Sequence, residues 1–156
     1  AAGMTIHETR LTEFKKAFVE VLSTSIDKSL LDPVIYSDGA LQSDDFSLPL
    51  AKMLADAGPW GQGFPEPQFS GIFEIVDQRL IADKHIKFML RTKDADKIIS
   101  AILFNADLQN WPNQRCRYLE AVYRLNVNEY QGLESLQLIL LEVQAAADVT
   151  LTSDII

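Results

Sequence analysis

The stretch KHIKFMLRTK, residues 84–93, alternates apolar and polar side chains. A period of two residues is typical of a β-strand that packs one face on a core and turns the other to solvent. The apolar side chains of residues 86, 88 and 90 are therefore predicted to point inward. The outward face is predicted to carry His85, Lys87, Met89 and Arg91.

Four further stretches have strand character, and the fifth strand is apolar on both faces near Leu138–Leu141, which indicates a closed or covered sheet. Five strands in about 80 residues fit a small closed barrel such as the OB-fold. The connection where an OB-fold often has a helix is predicted to be the loop Ala106–Gln114, with Trp111 as its anchor. The predicted strands span residues 68–78, 84–93, 97–105, 115–127 and 134–144.

Helical patterns precede the barrel. Residues 8–23 have apolar side chains near a 3.6-residue period, and residues 48–57 follow a plausible N-cap, Ser47, with Pro49 in the first turn. Between them, residues 33–39 are predicted to form a short strand closed by a turn. The predicted fold class is α+β: a short α/β fragment followed by a small five-stranded OB-fold-like β-barrel.

The segment GPWGQGFPEPQF, residues 58–69, holds three of the seven glycines and three of the six prolines. Neither helix nor central strand tolerates such a run, because glycine loses too much entropy and proline lacks a donor. The aromatic residues indicate a docked loop rather than a flexible linker. Two interpretations stay open: a packed connector between domains, or a loop in which Trp60 and Phe64 contact a ligand.

The composition is that of an ordinary globular protein, with 47% hydrophobic and 23% charged residues among 156. A net charge of −8 argues against nucleic-acid binding by the chain as a whole. The charge is unevenly spread, however. Residues 1–67 hold 5 basic and 10 acidic side chains, whereas residues 68–128 hold 9 basic and 7 acidic ones, a net of +2. A local basic face is therefore predicted in the barrel.

One cysteine, Cys116, excludes an internal disulfide and a multi-cysteine metal site, and it fits a structural role better than a nucleophilic one. No apolar run approaches the ~20 residues that cross a bilayer, and the first residues do not resemble a signal peptide. These features predict a cytoplasmic protein. The only histidines, His7 and His85, lack Asp or His neighbours at a ligand spacing. We therefore expect no catalytic residue, metal site or cofactor in this chain.

Binding is the remaining chemistry. Proteins that hold single-stranded nucleic acid without sequence preference combine a cationic groove with aromatic side chains on which bases stack. The outward face of the second strand is the best candidate, and the alternative is the polar outer surface of an ordinary barrel. The candidate nucleic-acid-binding residues are Trp60, Phe64, Lys84, His85, Lys87, Arg91, Tyr118, Arg124 and Tyr130.

Residues 58–67 resemble the segment P-[FW]-G-x-[GS]-[NF]-P-E-P that opens the OB domain of the RecJ family. Later landmarks of the same domain are similar to residues 85–87, 104–107, 111–112, 123–128 and 135–138. Upstream, residues 2–6, the first helix and residues 37–39 resemble the end of a DHHA1 domain. The likeness covers about residues 1–144. The domain organisation that it implies is a C-terminal part of a DHHA1-like domain at 1–40, a helix and Gly/Pro-rich connector at 41–67, an OB barrel at 68–145 and an acidic tail at 146–156.

This resemblance implies a bacterial 5′→3′ exonuclease that acts on single-stranded DNA in repair and recombination, with Mn²⁺ or Mg²⁺ held by an N-terminal domain. Because the chain begins at Ala1, we expect it to be a piece of that longer protein, without the catalytic ligands. The implied partners are single-stranded DNA and the single-stranded-DNA-binding protein, whose acidic tail Lys84, Lys87 or Arg117 could hold. Two alternatives are a protein-interaction module and a free-standing OB protein with no nuclease.

Overall fold

The computed structural model describes residues 3–26, 34–93 and 95–146. The chain divides into two compact units, Ala1–Ile35 and Tyr36–Ile156. No helix in the described ranges is long and apolar enough to span a membrane. The predicted acidic tail lies outside these ranges from residue 147 onward.

The first unit contains the predicted amphipathic helix. A 3₁₀ turn, Glu8–Arg10, leads into helix α1, Leu11–Ser25. The short strand predicted at 33–39 is wrong over its described part, residues 34–39, which has irregular backbone. These residues are exposed, and only two backbone hydrogen bonds join residues 38 and 39 to the start of the barrel. Residues that bury no side chain and pair with no neighbouring strand lack what stabilises a β-strand.

The predicted second helix forms as α2, Leu48–Asp56. Ser47 caps it, because its Oγ accepts a hydrogen bond from the Leu50 N–H at 3.3 Å. The helix packs on the barrel through Ala51, which is buried, and an ion pair joins Lys52 to Glu134 on the last strand. The connector is thus part of the same unit as the barrel.

Five strands close into the barrel: β1 Phe69–Ile81, β2 His85–Thr92, β3 Ile98–Leu103, β4 Tyr118–Tyr130 and β5 Leu133–Ala146. Their order around the barrel is β1-β2-β3-β5-β4. All neighbouring strands are antiparallel except β3 and β5, which are parallel. One end of the barrel therefore carries the β1–β2 turn and the β3–β4 loop, and the other carries the β2–β3 loop and the β4–β5 turn.

The barrel interior follows the predicted alternation. On β2 the side chains of residues 86, 88, 90 and 92 are buried, and the four between them are partly exposed. Tyr123 on β4 is fully buried, and its ring lies 5.8 Å from that of Phe46, which extends the core toward α2. Burial raises the pKa of the Tyr123 hydroxyl far above its ordinary value.

Trp111 closes the end of the barrel where many OB-folds place a helix. It is 5% exposed, and its ring meets the edge of Phe88 at 5.7 Å. Gln78 fixes the loop by two hydrogen bonds to the Asn113 backbone, at 2.7 and 2.9 Å. The prediction that Trp111 anchors this loop is confirmed.

The first strand runs further than predicted. A β-bulge lies between Ile75 and Asp77, and pairing with β2 then continues to Ile81 opposite His85. A bulge adds one residue and reverses which positions face the core. The apolar-polar alternation therefore breaks at Val76, although the strand itself continues to Ile81.

Candidate nucleic-acid interface

The outer face of β1 and β2 carries three cations at the end of the barrel formed by the β1–β2 turn. Arg79 on β1 lies directly opposite Lys87 on β2, so both side chains point to the same face. Lys84 is exposed in the turn that joins the two strands. That turn holds Ala82 and Asp83 at φ of 48° and 56°, a conformation that few residues other than glycine adopt.

An aromatic pair borders these cations. The rings of His85 and Phe104 meet edge to face at 5.1 Å, and Phe104 is 49% exposed. The backbone N–H of Asn105 donates to His85 Nδ1 at 3.0 Å, and that of Ala106 donates to the Lys84 carbonyl at 2.8 Å. The β3–β4 loop is thus fastened to the β1–β2 turn. We call Arg79, Lys84, Lys87, His85 and Phe104 the β1–β2 patch.

The three cations of the patch have no ion pair within the described part of the chain. Asp77 and Asp83 border the patch, but neither is paired with a cation there. Free cations beside an exposed aromatic ring are what a single strand requires, because phosphates pair with the first and bases stack on the second. The patch can therefore bind both parts of a nucleotide.

Sequence reasoning missed two members of the patch. Arg79 lies beyond the predicted end of β1, and only the hidden bulge brings it opposite Lys87. Phe104 lies just after β3, where an apolar side chain is expected to belong to the core. Phe104 follows the buried Leu103 and continues the outward side of β3, but that side also carries Ile98 and Ile102, so the sequence does not show which side is exposed.

Arg91 and Tyr118, also predicted to bind nucleic acid, lie together farther along the same face. Glu74 on β1 is opposite both Arg91 on β2 and Tyr118 on β4. The Glu74 carboxylate accepts a hydrogen bond from Arg91 Nη1 at 2.9 Å, and the Arg117 guanidinium lies 5.3 Å from the centre of the Tyr118 ring. The structure thus brings these residues together around a carboxylate.

Arg124 lies apart from the patch. Its Nη1 donates to Glu66 Oε2 at 3.0 Å, which ties β4 to the connector. Arg124 follows Tyr123, which pairs with Phe69 at the start of β1, whereas Lys87 pairs with Arg79 near the end of that strand. In this arrangement the guanidinium stabilises the joint between connector and barrel.

The remaining predicted residues lie near the opposite end of the barrel. Trp60 donates from Nε1 to the Leu54 carbonyl at 3.1 Å, and its ring stacks on Phe64 with centroids 4.8 Å apart. Phe64 is 58% exposed, and Tyr130, at the β4–β5 turn, is 69% exposed. The structure does not bring these three together with the patch, since the connector enters at the start of β1 and Arg79 lies near its end.

The residues that the structure describes do not fit a divalent metal. In the described ranges, no group of three or more His, Cys, Asp or Glu side chains is placed to hold an ion. Each histidine ring instead has a local partner: His7 Nδ1 lies 2.9 Å from Thr9 Oγ1, and His85 Nδ1 accepts from Asn105.

A closed barrel with the strand order β1-β2-β3-β5-β4 and parallel β3 and β5 is an OB-fold, a class of small barrels that binds oligonucleotides and oligosaccharides. The chain belongs to the RecJ OB domain family, whose model matches residues 37–142. This confirms the family resemblance and the predicted barrel.

Proteins with similar sequences support this family assignment. The chain is 41% identical over 140 residues to the single-stranded-DNA-specific exonuclease RecJ of Dickeya dadantii, and 38% identical to that of Escherichia coli. Each alignment covers 90% of this chain and 24% of the relative, so the chain spans about a quarter of the length of these proteins. RecJ of Thermus thermophilus, in a crystal structure with Mn²⁺, matches 93% of this chain and 20% of its own, with a TM-score of 0.65 at 21% identity. That likeness supports the fold.

Proposed function

We propose that this OB domain binds single-stranded DNA through the β1–β2 patch. The observation that carries the proposal is the meeting of Arg79, Lys84 and Lys87, all without ion pairs in the described ranges, with the exposed ring of Phe104. The phosphates would pair with the cations, and a base would stack on Phe104. The named relatives are exonucleases specific for single-stranded DNA, which supports this class of ligand.

The patch also offers a reason for preferring single strands. In a duplex the bases are stacked on each other, and a side chain reaches their edges only through a groove. A single strand exposes base faces, and stacking on an aromatic ring contributes about 1–3 kcal/mol per base. Phe104 therefore favours single strands, whereas the cations attract both forms.

Phe104→Ala is expected to lower the affinity for a labelled oligothymidylate about tenfold, because one stacking surface is lost. The affinity for a duplex of the same length is expected to change less than twofold. Leu108→Ala is the matched control, since Leu108 lies in the same loop and is 47% exposed, close to the 49% of Phe104. Fluorescence anisotropy gives both affinities. Equal losses for single strand and duplex, or equal losses in the two variants, would contradict a stacking role.

We further propose that the longer protein is a RecJ-type 5′→3′ exonuclease acting in DNA repair and recombination. The curated relatives are named single-stranded-DNA-specific exonucleases, and a related crystal structure holds Mn²⁺, which supports this proposal. In this proposal a separate domain supplies the metal and cleaves the strand, and Mn²⁺ or Mg²⁺ polarises the scissile phosphate there. The OB domain holds the strand on its way to that site.

A second proposal is docking of the acidic tail of the single-stranded-DNA-binding protein. A recess of about 300 Å³ favours it, because Arg115 and Arg117 line it together with the small side chains of Ala145 and Ala146. Guanidinium groups beside an apolar wall suit an acidic peptide with apolar residues. Lys84 and Lys87, the other residues predicted for this role, lie in the patch instead.

Arg115→Gln is expected to weaken binding of a synthetic tail peptide about fivefold and to leave oligothymidylate binding within twofold, because Arg115 lies in this recess and outside the patch. Isothermal titration calorimetry gives the affinity for the peptide. Lys87→Gln, which removes one charge from the patch, is the control and should leave the peptide affinity unchanged. Peptide binding that depends on Lys87 and not on Arg115 would refute the recess.

A further inference from the structure

Glu74 holds two arginines from different elements on the outer face of the barrel. Its Oε2 accepts from Arg91 Nη1 at 2.9 Å, and its Oε1 accepts from Arg117 Nε and Nη2, both at 3.2 Å. The Arg91 Nε lies 3.5 Å from an oxygen of Asp96. Two guanidinium groups thus share two carboxylates, and the charges of these four described residues sum to zero.

The two carboxylates differ in how firmly they are placed. The Glu74 side chain is 22% exposed, whereas that of Asp96 is 97% exposed. Burial alone would raise the pKa of Glu74, but the hydrogen bonds from Arg91 and Arg117 outweigh that effect, and the pKa is lowered. Glu74 is therefore the ionised group on which both arginines converge.

Both arginines nevertheless reach the surface, with side chains 36% and 66% exposed for Arg91 and Arg117. They also continue the β1–β2 patch, because Lys87, Met89 and Arg91 point outward in turn along β2. Lys87 and Arg91 are four residues apart, or about 13 Å along a strand. A nucleic-acid strand that lies on the patch and follows β2 reaches this cluster next.

We propose that Glu74 is an internal counter-ion that occupies the position of a nucleic-acid phosphate between Arg91 and Arg117, and that it thereby limits the affinity of this face. The proposal rests on single-strand binding by the β1–β2 patch. Carboxylate and phosphate oxygens accept hydrogen bonds from guanidinium groups in the same forked geometry, so one can stand where the other would bind.

The arginines have supports other than the Glu74 charge. Arg117 lies over the Tyr118 ring, and Arg91 has Asp96 beside it. A glutamine at position 74 keeps a carbonyl oxygen that accepts from either arginine and removes one negative charge. Glu74→Gln therefore leaves two oriented guanidinium groups with a net charge of +1 for the cluster.

Glu74→Gln is expected to tighten binding of oligothymidylate about three- to tenfold at low salt, and to steepen the dependence of log K on log salt by up to about 0.7, the value for one additional phosphate contact. Glu129→Gln is the matched control, because Glu129 is exposed near the β4–β5 turn, at the end of the barrel away from the patch, and has no ion pair with the described cations. It removes the same charge without releasing an arginine and should tighten binding less than twofold.

The tighter binding of oligothymidylate by Glu74→Gln should also require an arginine. The double variant Glu74→Gln/Arg91→Gln is therefore expected to lose that increase in affinity. Equal gains in Glu74→Gln and Glu129→Gln, or weaker binding by a folded Glu74→Gln variant, would overturn the proposal. A failure here is separable from a failure of the proposed function. If Phe104→Ala still weakens single-strand binding while Glu74→Gln changes nothing, only the counter-ion role is lost.

Discussion

Replacing Arg79, Lys84 and Lys87 together by alanine is expected to lower the affinity of the chain for oligothymidylate about 100-fold at low salt. Each cation that pairs with a phosphate contributes about 1 kcal/mol or more, and the three losses multiply as equilibrium constants. The residues are exposed or partly exposed on the barrel surface and fill no part of the core, so the fold should persist. Fluorescence anisotropy measures the affinity, and circular dichroism verifies the fold.

The matched control is the triple variant Arg10→Ala/Lys15→Ala/Lys16→Ala. It removes the same three charges from the first unit, where all three side chains are exposed. Its affinity should fall less than threefold, because none of these three residues belongs to the β1–β2 patch. Similar losses in both triple variants would mean that net charge, and not the patch, governs binding.

Trp111→Ala is expected to lower the free energy of unfolding of the barrel by about 3–5 kcal/mol. The Trp111 ring closes the end of the barrel against Phe88, and no other large side chain of its loop is buried among the described residues. Its removal leaves a cavity that the loop cannot fill without losing the hydrogen bonds between Gln78 and Asn113. Urea denaturation followed by circular dichroism gives the change.

Leu108→Ala is a suitable comparison for stability, because Leu108 is in the same loop but 47% exposed. Its effect is expected to stay within about 0.5 kcal/mol, as for other surface substitutions. A Trp111→Ala variant as stable as Leu108→Ala would show that the loop does not close the barrel. It would also remove the basis for a fixed Phe104 in the patch.

The barrel was predictable where its strands alternate apolar and polar side chains, and β2 does so along its whole length. In β2 every second side chain is buried, so sequence alone places Lys87 and Arg91 outside and Phe88 inside. The order of strands is not encoded in that pattern. The OB-fold-like barrel was predicted from the number and spacing of the strands and from the family resemblance, and the observed barrel confirms it.

The site was less predictable, because it depends on contacts between residues distant in sequence. Arg124 has the same local pattern as Lys87, yet it pairs with Glu66, 58 residues earlier. Nothing near either residue in the chain predicts this ion pair. To find Arg79 in the patch required the position of the bulge in β1, and to find Phe104 required the side of β3 that is exposed. Local periodicity gives the direction of a side chain but not its partner.

The salt dependence of oligothymidylate binding, measured for the unaltered chain and for the Arg79→Ala/Lys84→Ala/Lys87→Ala variant, tests the central claim most directly. A single strand contributes about 0.7 to the slope of log K against log salt for each phosphate that a cation neutralises. If the three cations of the patch neutralise phosphates of the DNA strand, the slope of the triple variant should be shallower by about 2. Equal slopes for the two proteins would contradict the claim that the β1–β2 patch binds single-stranded DNA.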